Sequence, residues 1–384
     1  MTAVVAPMTP LLASVHAHRG AGTHPSLMDL EHLRVVSRGA AALALILEAE
    51  GVGAKDEVLM PAYHCPIMVA AVKAVGADAG FFRIQENLEV SPGDVIEAAT
   101  MRTKVVVLPH LFKVRQPDGL FDYLRGNSNW LVIEDCAHSF FGSLGTRAIG
   151  SSGDYAIGSI AKFFPVGWGG IIASQRRGVD VPLKKPTAAF QMKLILNAIE
   201  KAGHFGRFDP ISGPVVSALR GVSWMREKGR GAKSHLSVEP GDDQRNSVAG
   251  EVLDKAHLHE TGGWWPERIV RKQAVFSSRV QARMSAYERL CAALDGMRNG
   301  RVLRRDDPPD FPPYVLPLLL ARPARDFAEL KNRGVPMLRW EHAIRGRCPV
   351  ADTYAESLVQ LPCHESLSSE EIQRLSDTVR AVLV

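Results

Sequence analysis

Between about residues 28 and 175, short apolar runs alternate with helix-like stretches, and this alternation restricts the fold more than any other feature of the chain. Residues 104–108 (KVVVL) and 130–133 (WLVI) are apolar along nearly their whole length and rich in branched side chains. A strand with one face in water alternates apolar and polar positions. A run that is apolar throughout is buried on both faces, as in a parallel sheet with helices on each side. Residues 57–60, ended by Pro61, read as another strand, as do residues 79–84, 156–160 and 170–173. Helices are expected at residues 40–49, which are Ala/Leu-rich, and at residues 68–75. The expected fold class is therefore α/β. Ligands of such sheets bind beyond the carboxyl ends of the strands, so chemistry is sought just after each apolar run.

The length of 384 residues allows two domains. Residues 176–262 break the pattern: a helical stretch at 188–202 is followed by Gly/Pro- and charge-rich sequence, which reads as a divergent insertion or subunit-contact segment. A long helical pattern returns at residues 267–294. A strand-like run at 314–321 (YVLPLLLA) opens a smaller C-terminal unit that ends in a helix over Ser369–Leu383. Ser368 followed by Glu371 has the form of a capping box for that helix. The expected division is a large domain over residues 1–265 and a small one, with its connecting helix, over 266–384.

Composition narrows the function classes. The chain is 46% hydrophobic and 23% charged, like ordinary soluble domains. Its net charge of +5 is dispersed, without the clustered basic and aromatic face of a nucleic-acid binder. No run approaches the roughly 20 apolar residues that span a bilayer, and the first residues lack the apolar core of a signal peptide. Five cysteines without a CxxC pair argue against a disulfide framework or structural zinc and fit a reducing cytoplasm. His110 and His364 lack metal-ligand spacing. The expectation is a cytoplasmic protein with no metal, nucleic-acid or membrane partner.

Four segments carry candidate chemistry. In Ile133-Glu134-Asp135-Cys136-Ala137-His138, Asp135 falls at the carboxyl end of an apolar strand. A carboxylate there needs a partner; it caps a helix, forms a loop salt bridge, or pairs with a protonated ring nitrogen. Lys162 follows a strand-like run from Gly153 and precedes Phe163-Phe164-Pro165-Val166-Gly167-Trp168-Gly169-Gly170. Most lysines are solvated, but apolar flanks lower a lysine's pKa and make the free amine nucleophilic, able to form a Schiff base with an aldehyde. Ser37-Arg38-Gly39-Ala40-Ala41-Ala42-Leu43 offers small residues at a helix start, where backbone N–H groups accept a phosphate. Pro61-Ala62-Tyr63-His64-Cys65-Pro66 places a flat ring directly after a strand, either packed in a turn or stacked on a ligand ring.

Taken in order, these segments resemble the DegT-type family of pyridoxal-phosphate (PLP) aminotransferases, best known for aminating nucleotide-linked keto-sugars. Further matches are Lys55-Asp56-Glu57-Val58-Leu59-Met60-Pro61, His110-Leu111-Phe112-Lys113, Gly150-Ser151-Ser152-Gly153-Asp154 and Leu361-Pro362-Cys363-His364-Glu365-Ser366-Leu367-Ser368. The resemblance covers about residues 28–175 and 265–384. It implies PLP as cofactor, Lys162 as its Schiff-base lysine, and Asp135 as partner of the pyridine nitrogen. The cofactor phosphate is expected at Arg38, Gly39 and Ala40 with Ser159, and His138 stands where the family usually has Gln near the phenolic oxygen. The usual stacking aromatic falls at Cys65, leaving Tyr63 or His64 to substitute. Trp168 occupies a position often polar in the family, and these departures bear on the substrate more than on the cofactor.

The resemblance also implies a fold-type-I architecture: a large PLP-binding domain with a mostly parallel seven-stranded sheet and a small C-terminal α/β domain. It further implies a homodimer with shared active sites, to whose contact Trp264-Trp265 would contribute. Trp340 and His342, in the small domain, are expected with Trp168 near the substrate. The implied activity moves an amino group from an amino-acid donor to a keto or aldehyde acceptor, a sugar or secondary metabolite. The same lysine and aspartate would also serve elimination, decarboxylation or carbon–carbon bond formation. A sensing protein on the same scaffold, holding PLP without turnover, is the reading from a different class.

Overall fold

The computed structural model describes residues 5–12, 24–117, 119–126, 128–144, 146–207, 253, 257–273, 277–303, 311–340 and 346–384. Its first part runs β1 (His32–Val36), α1 (Gly39–Ala49), β2 (Glu57–Pro61), α2 (Ile67–Ala74), β3 (Asp78–Phe82), α3 (Pro92–Ala98), β4 (Thr103–Pro109), α4 (Leu120–Gly126) and β5 (Leu131–Asp135). A two-stranded hairpin, β6 (Ser143–Leu144) and β7 (Arg147–Ala148), precedes β8 (Tyr155–Ser159), α5 (Ile160–Phe163), β9 (Gly170–Ser174) and α6 (Ala188–His204). Then come α7 (Trp264–Gln273), α8 (Ser277–Ala293), β10 (Gly300–Val302), β11 (Val315–Leu320), α9 (Pro323–Asn332), α10 (Pro349–Ser357), β12 (Leu358–Pro362) and α11 (Ser369–Leu383).

Seven strands form one sheet in the order β1-β9-β8-β5-β4-β2-β3. Strands β8, β5, β4, β2 and β3 pair in parallel, while β9 is antiparallel to both β8 and β1. Six strands thus share one direction and β9 alone reverses, the mostly parallel α/β sheet that the apolar runs predict. Both faces are buried. On β4, Val105 and Val107 enter the core beneath α1 and α2, while Val106 and Leu108 enter the opposite core with Phe121 and Leu124 of α4. A side chain reverses face at each residue of a strand, so a run apolar at every position fills two cores at once.

The smaller antiparallel sheet has the order β10-β11-β12. It also divides its side chains. Val359 and Leu361 pack with Leu316, Leu318 and the α11 residues Ile372, Leu375 and Val379, whereas Leu358 and Val315 join the core that includes Tyr63 and Phe112. The Ser368/Glu371 capping box is present at α11. The helical pattern over 267–294 divides into α7 and α8. Strands β1 and β12 and the short helices α3, α4, α9 and α10 add to what the periodicity indicated. Residues 208–252 and 254–256 of the divergent stretch lie outside the described residues. None of the five cysteines forms a disulfide, and among the described residues no helix is long and apolar enough to cross a membrane.

One close approach and two buried histidines bear on the stability of this frame. Gly170 opens β9 where the chain meets the start of α1; a Cβ there would lie 2.2 Å from the Arg38 carbonyl carbon and 2.5 Å from the Gly39 nitrogen. Those are backbone atoms and cannot swing aside. Gly170→Ala should therefore destabilise the protein at or above the upper end of the roughly 1–3 kcal/mol typical of overpacking, measured as a shift in denaturant midpoint.

His64 is buried, stacks on Phe81 at 5.2 Å between centroids, and donates Nδ1–H to the Pro61 carbonyl at 2.9 Å. His364 donates Nε2–H to the Pro7 carbonyl at 3.0 Å and accepts from the Ser366 hydroxyl at Nδ1. Burial pushes His64 down to about 4 and His364 to about 3, from an ordinary 6.5. The unfolded chain therefore binds more protons than the folded one below pH 6.5, and stability present in full above that value declines as pH falls. Each histidine should lose stability at about 1.4 kcal/mol per pH unit over this range. Urea titrations at pH 7 and pH 5 check it; equal free energies at the two values would contradict the burial argument.

Candidate functional site

The site lies at the carboxyl edge of the parallel strands, where β5 ends at Asp135 and its neighbour β8 ends at Ser159. Because β5 alternates, Glu134 and Asp135 point to opposite faces. Glu134 is fully buried; Oε1 accepts from the Gly150 N–H at 2.7 Å and from His110 Nε2 at 3.0 Å, and Oε2 accepts from the Ser152 N–H at 2.9 Å. Burial alone would raise its pKa, but His110 and these backbone donors hold it below the usual carboxylate range. His110 accepts at Nδ1 from the Gln116 N–H at 3.2 Å. The Gly150-Ser151-Ser152-Gly153 segment is thus a cradle of N–H groups around one carboxylate, a role that reading the motif in isolation did not reveal. Cys136 lies beside the same group: the ligand-type atoms of His110, Glu134 and Cys136 fall within 4.8 Å of one another, in a cluster already bound together by these hydrogen bonds.

Asp135 faces the other way. Its Oδ1 accepts from the Ala137 N–H at 2.9 Å; burial raises its pKa, with the Lys162 ammonium pulling in the opposite sense. Lys162 sits on α5, one short turn directly after β8, with its Nζ 5.2 Å from the centre of the Tyr314 ring. His138 lies 4.9 Å from Tyr314, 5.1 Å from Phe112 and 5.4 Å from Trp340, between ring centres. Its Nδ1 is buried without a hydrogen-bond partner. Burial, then the charge of Lys162, keeps the imidazole well below its ordinary pKa and so neutral. Tyr63 packs on Trp340 at 5.1 Å.

Asp135, Lys162, His138, Trp340 and Tyr63 are therefore brought together, far apart as they are in sequence. Of the three turn residues, His64 is committed to Pro61 and Phe81, and Cys65 is partly buried. Arg38, Gly39 and Ala40 lie at the start of α1, where Arg38 provides no side-chain cap for the first-turn N–H groups. Space at Gly39 is tight, since a Cβ would lie 3.3 Å from the Gly158 carbonyl oxygen. The Arg38 guanidinium stands 4.8 Å over Trp168, whose other neighbours are Phe190 at 4.9 Å and His257 at 5.5 Å. Trp168 is thus packed at the α1 end of the site, and its buried Nε1–H has no acceptor. Ser159 is the residue before α5. His342 lies outside the described residues.

Tyr314 and Phe112 are the residues that reading from the sequence missed. Phe112 and Lys113 take positive φ of 53° and 82°, a conformation rare for large side chains that marks built sites. Tyr314 precedes β11 of the small sheet, and its position just before an apolar run is the signal that could have identified it.

Residues 26–178 match the model of the DegT/DnrJ/EryC1/StrS aminotransferase family. Over 153 residues the chain is 31% identical to the L-glutamine:scyllo-inosose aminotransferase of Streptomyces griseus, covering 39% of this chain and 35% of that protein. Over 352 residues it is 24% identical to the UDP-N-acetyl-3-dehydro-alpha-D-glucosamine 3-aminotransferase of Acidithiobacillus ferrooxidans, covering 90% and 82% of the two chains. The matched stretch spans about a third of the length of the first curated relatives. Among solved structures, 3-amino-5-hydroxybenzoic acid synthase superposes with a TM-score of 0.62 at 16% identity, covering 93% of this chain and 87% of that one. S. venezuelae DesV gives 0.60 at 18% identity, covering 92% and 85%; at such identities the likeness is one of fold. Residues 26–178 of the chain are thus similar to the DegT/DnrJ/EryC1/StrS aminotransferase family, and the whole chain shares the fold of these neighbours.

Proposed function

We propose that this protein is a PLP-dependent aminotransferase that carries an amino group from an amino-acid donor to a keto or aldehyde acceptor, with Lys162 and Asp135 as its working pair. The observation that carries the reading is the convergence of the Lys162 amine, the Asp135 carboxylate and a buried, neutral His138 on one edge of the sheet. Relatives that act on inososes and nucleotide-linked amino sugars support a sugar or cyclitol ketone as acceptor.

The residues fit the cofactor. Asp135 is buried enough for its proton affinity to rise, as suits a carboxylate that shares a proton with a pyridine nitrogen. His138 offers an unpartnered Nδ1 for the phenolic oxygen. The uncapped start of α1 at Gly39 and Ala40, beside Arg38 and Ser159, supplies N–H groups and positive charge for the phosphate. When bound, PLP supplies an aldehyde for amines and an electron-accepting ring. Lys162 would hold the cofactor and, once its amine is free, would serve as the base that takes the proton from the substrate α-carbon and as the acid that returns it. Asp135 keeps the ring-nitrogen proton in place. The aromatic walls of Tyr314, Phe112 and Trp340 exclude water, which strengthens every charge interaction within.

The wider reading is a homodimer with shared sites, supported by exposed Trp264 and Met192 on helices whose neighbouring residues bond, Gln191 Oε1 accepting from the Trp265 N–H. A cytoplasmic location is supported by five cysteines that form no disulfide. The division into residues 1–265 and 266–384 is supported by the two sheets falling on either side of it.

Purified protein mixed with PLP should absorb visible light, and borohydride reduction should fix PLP on Lys162 in a peptide map. Lys162→Ala should lose both signals and lower turnover by on the order of 10²–10⁴-fold. With glutamate or glutamine and a cyclic ketone, the 2-oxo acid should accumulate in step with aminated acceptor. Ammonia released without any acceptor would instead identify elimination chemistry, and a chain that takes up no PLP would sink the proposal.

A further inference from the structure

Lys162 rides on α5, only four residues long, and a single turn does not hold its own conformation. The restraints come from elsewhere in the chain. The carbonyl of Phe163, next to Lys162, accepts from Arg279 Nη2 at 3.0 Å and from Arg283 Nη2 at 3.5 Å. The Arg283 guanidinium lies 4.8 Å over the Phe163 ring and that of Arg279 lies 4.9 Å over Phe164. Glu365, from the segment after β12, pairs with Arg283 at 2.6 Å and also with Arg279.

Arg283 is the hub of this set. It is 1% exposed, on α8, and its Nη1 donates to the Pro313 and Tyr314 carbonyls at 3.3 and 3.5 Å. One guanidinium is therefore bonded on one side to the residue following Lys162, and on the other to the residue whose ring faces the Lys162 amine. A buried ion pair is weak evidence for a stabilising role, because replacing the whole pair by apolar side chains often costs little. Here its planar fork connects three backbone carbonyls and a carboxylate around one functional lysine, geometry that neither methionine nor a lysine ammonium reproduces. Burial would raise the Glu365 pKa, but Arg279 and Arg283 hold it low, so the carboxylate stays charged between them.

We propose that Arg283, oriented by Glu365, is a positioning residue that sets the direction of the Lys162 amine and ties the C-terminal unit to the candidate site. The inference rests on the reading of Lys162 as the cofactor-bearing lysine, and the test separates the two. Arg283→Met, Arg283→Lys and Glu365→Gln are compared with the unaltered full-length chain in three measurements. Circular dichroism follows folding, amide hydrogen exchange over residues 160–166 without added cofactor follows the turn, and borohydride reduction at limiting PLP follows the fraction fixed on Lys162.

Both Arg283 variants should keep the far-ultraviolet spectrum yet exchange at residues 160–166 at least tenfold faster and fix at least tenfold less PLP. Glu365→Gln should move both readouts the same way, by a smaller factor. Arg283→Lys should not rescue the fixed fraction even where it restores the melting temperature. Folded variants with unchanged exchange and unchanged fixation would overturn the positioning role. If Arg283→Met fails to fold, the other two variants decide on the same criteria. If the unaltered chain fixes no PLP on Lys162, the proposed function fails, while exchange alone still decides whether Arg283 orders the turn.

Discussion

A carboxylate that water does not reach holds the carboxyl edge of the sheet together. Burying an ionised glutamate without compensation costs several kcal/mol or more, so Glu134 tolerates its position only because backbone N–H groups from Gly150 and Ser152 and the ring of His110 converge on it. Those contacts join β5, the loop after β4 and the loop before β8 into one rigid seam. Everything the site needs hangs from that seam. Asp135 is displaced to the opposite face by the pleat of the strand, and the neighbouring β8 delivers Ser159 and the turn bearing Lys162.

Two adjacent carboxylates thus acquire opposite properties from their surroundings. Burial dominates at Asp135 and raises its proton affinity, whereas at Glu134 the donors outweigh burial and lower it. One is a fixed structural anion; the other is poised to share a proton. The pair Glu134-Asp135 reads in sequence as two equivalent acids, and only the placement of Gly150, Ser152 and His110 tells them apart.

The large sheet was legible because its central strands are buried on both faces, so residues such as Val105, Val106, Val107 and Leu108 leave no polar position to confuse the pattern. Strand β1 was not, since only Val35 and Val36 of its five residues are buried and its place is set by pairing with β9. Helices α3, α9 and α10 begin with a proline at the first turn, a start signal too brief for periodicity to extend. Asp135 and Lys162 could be singled out from their own flanks. Arg283 and Glu365 could not, because Arg283 reaches Phe163 across 120 positions and Glu365 pairs with arginines more than eighty positions away, contacts that no local window contains.

The aromatic enclosure has an electrostatic consequence. Tyr314, Phe112, Trp340 and Tyr63 pack around His138 and Lys162. In such low-dielectric surroundings the ammonium of Lys162 acts on Asp135 and His138 with little screening, which is why its influence appears in the proton affinity of both. The small sheet supplies part of this wall through Tyr314, and Trp340, from the segment that bridges to β12, supplies another. The C-terminal unit therefore does more than cover the large sheet: it sets the dielectric in which the lysine and the aspartate meet. A displacement that admitted water beside Trp340 would weaken that coupling without touching either residue, so the packing between the units and the chemistry of the site are one property.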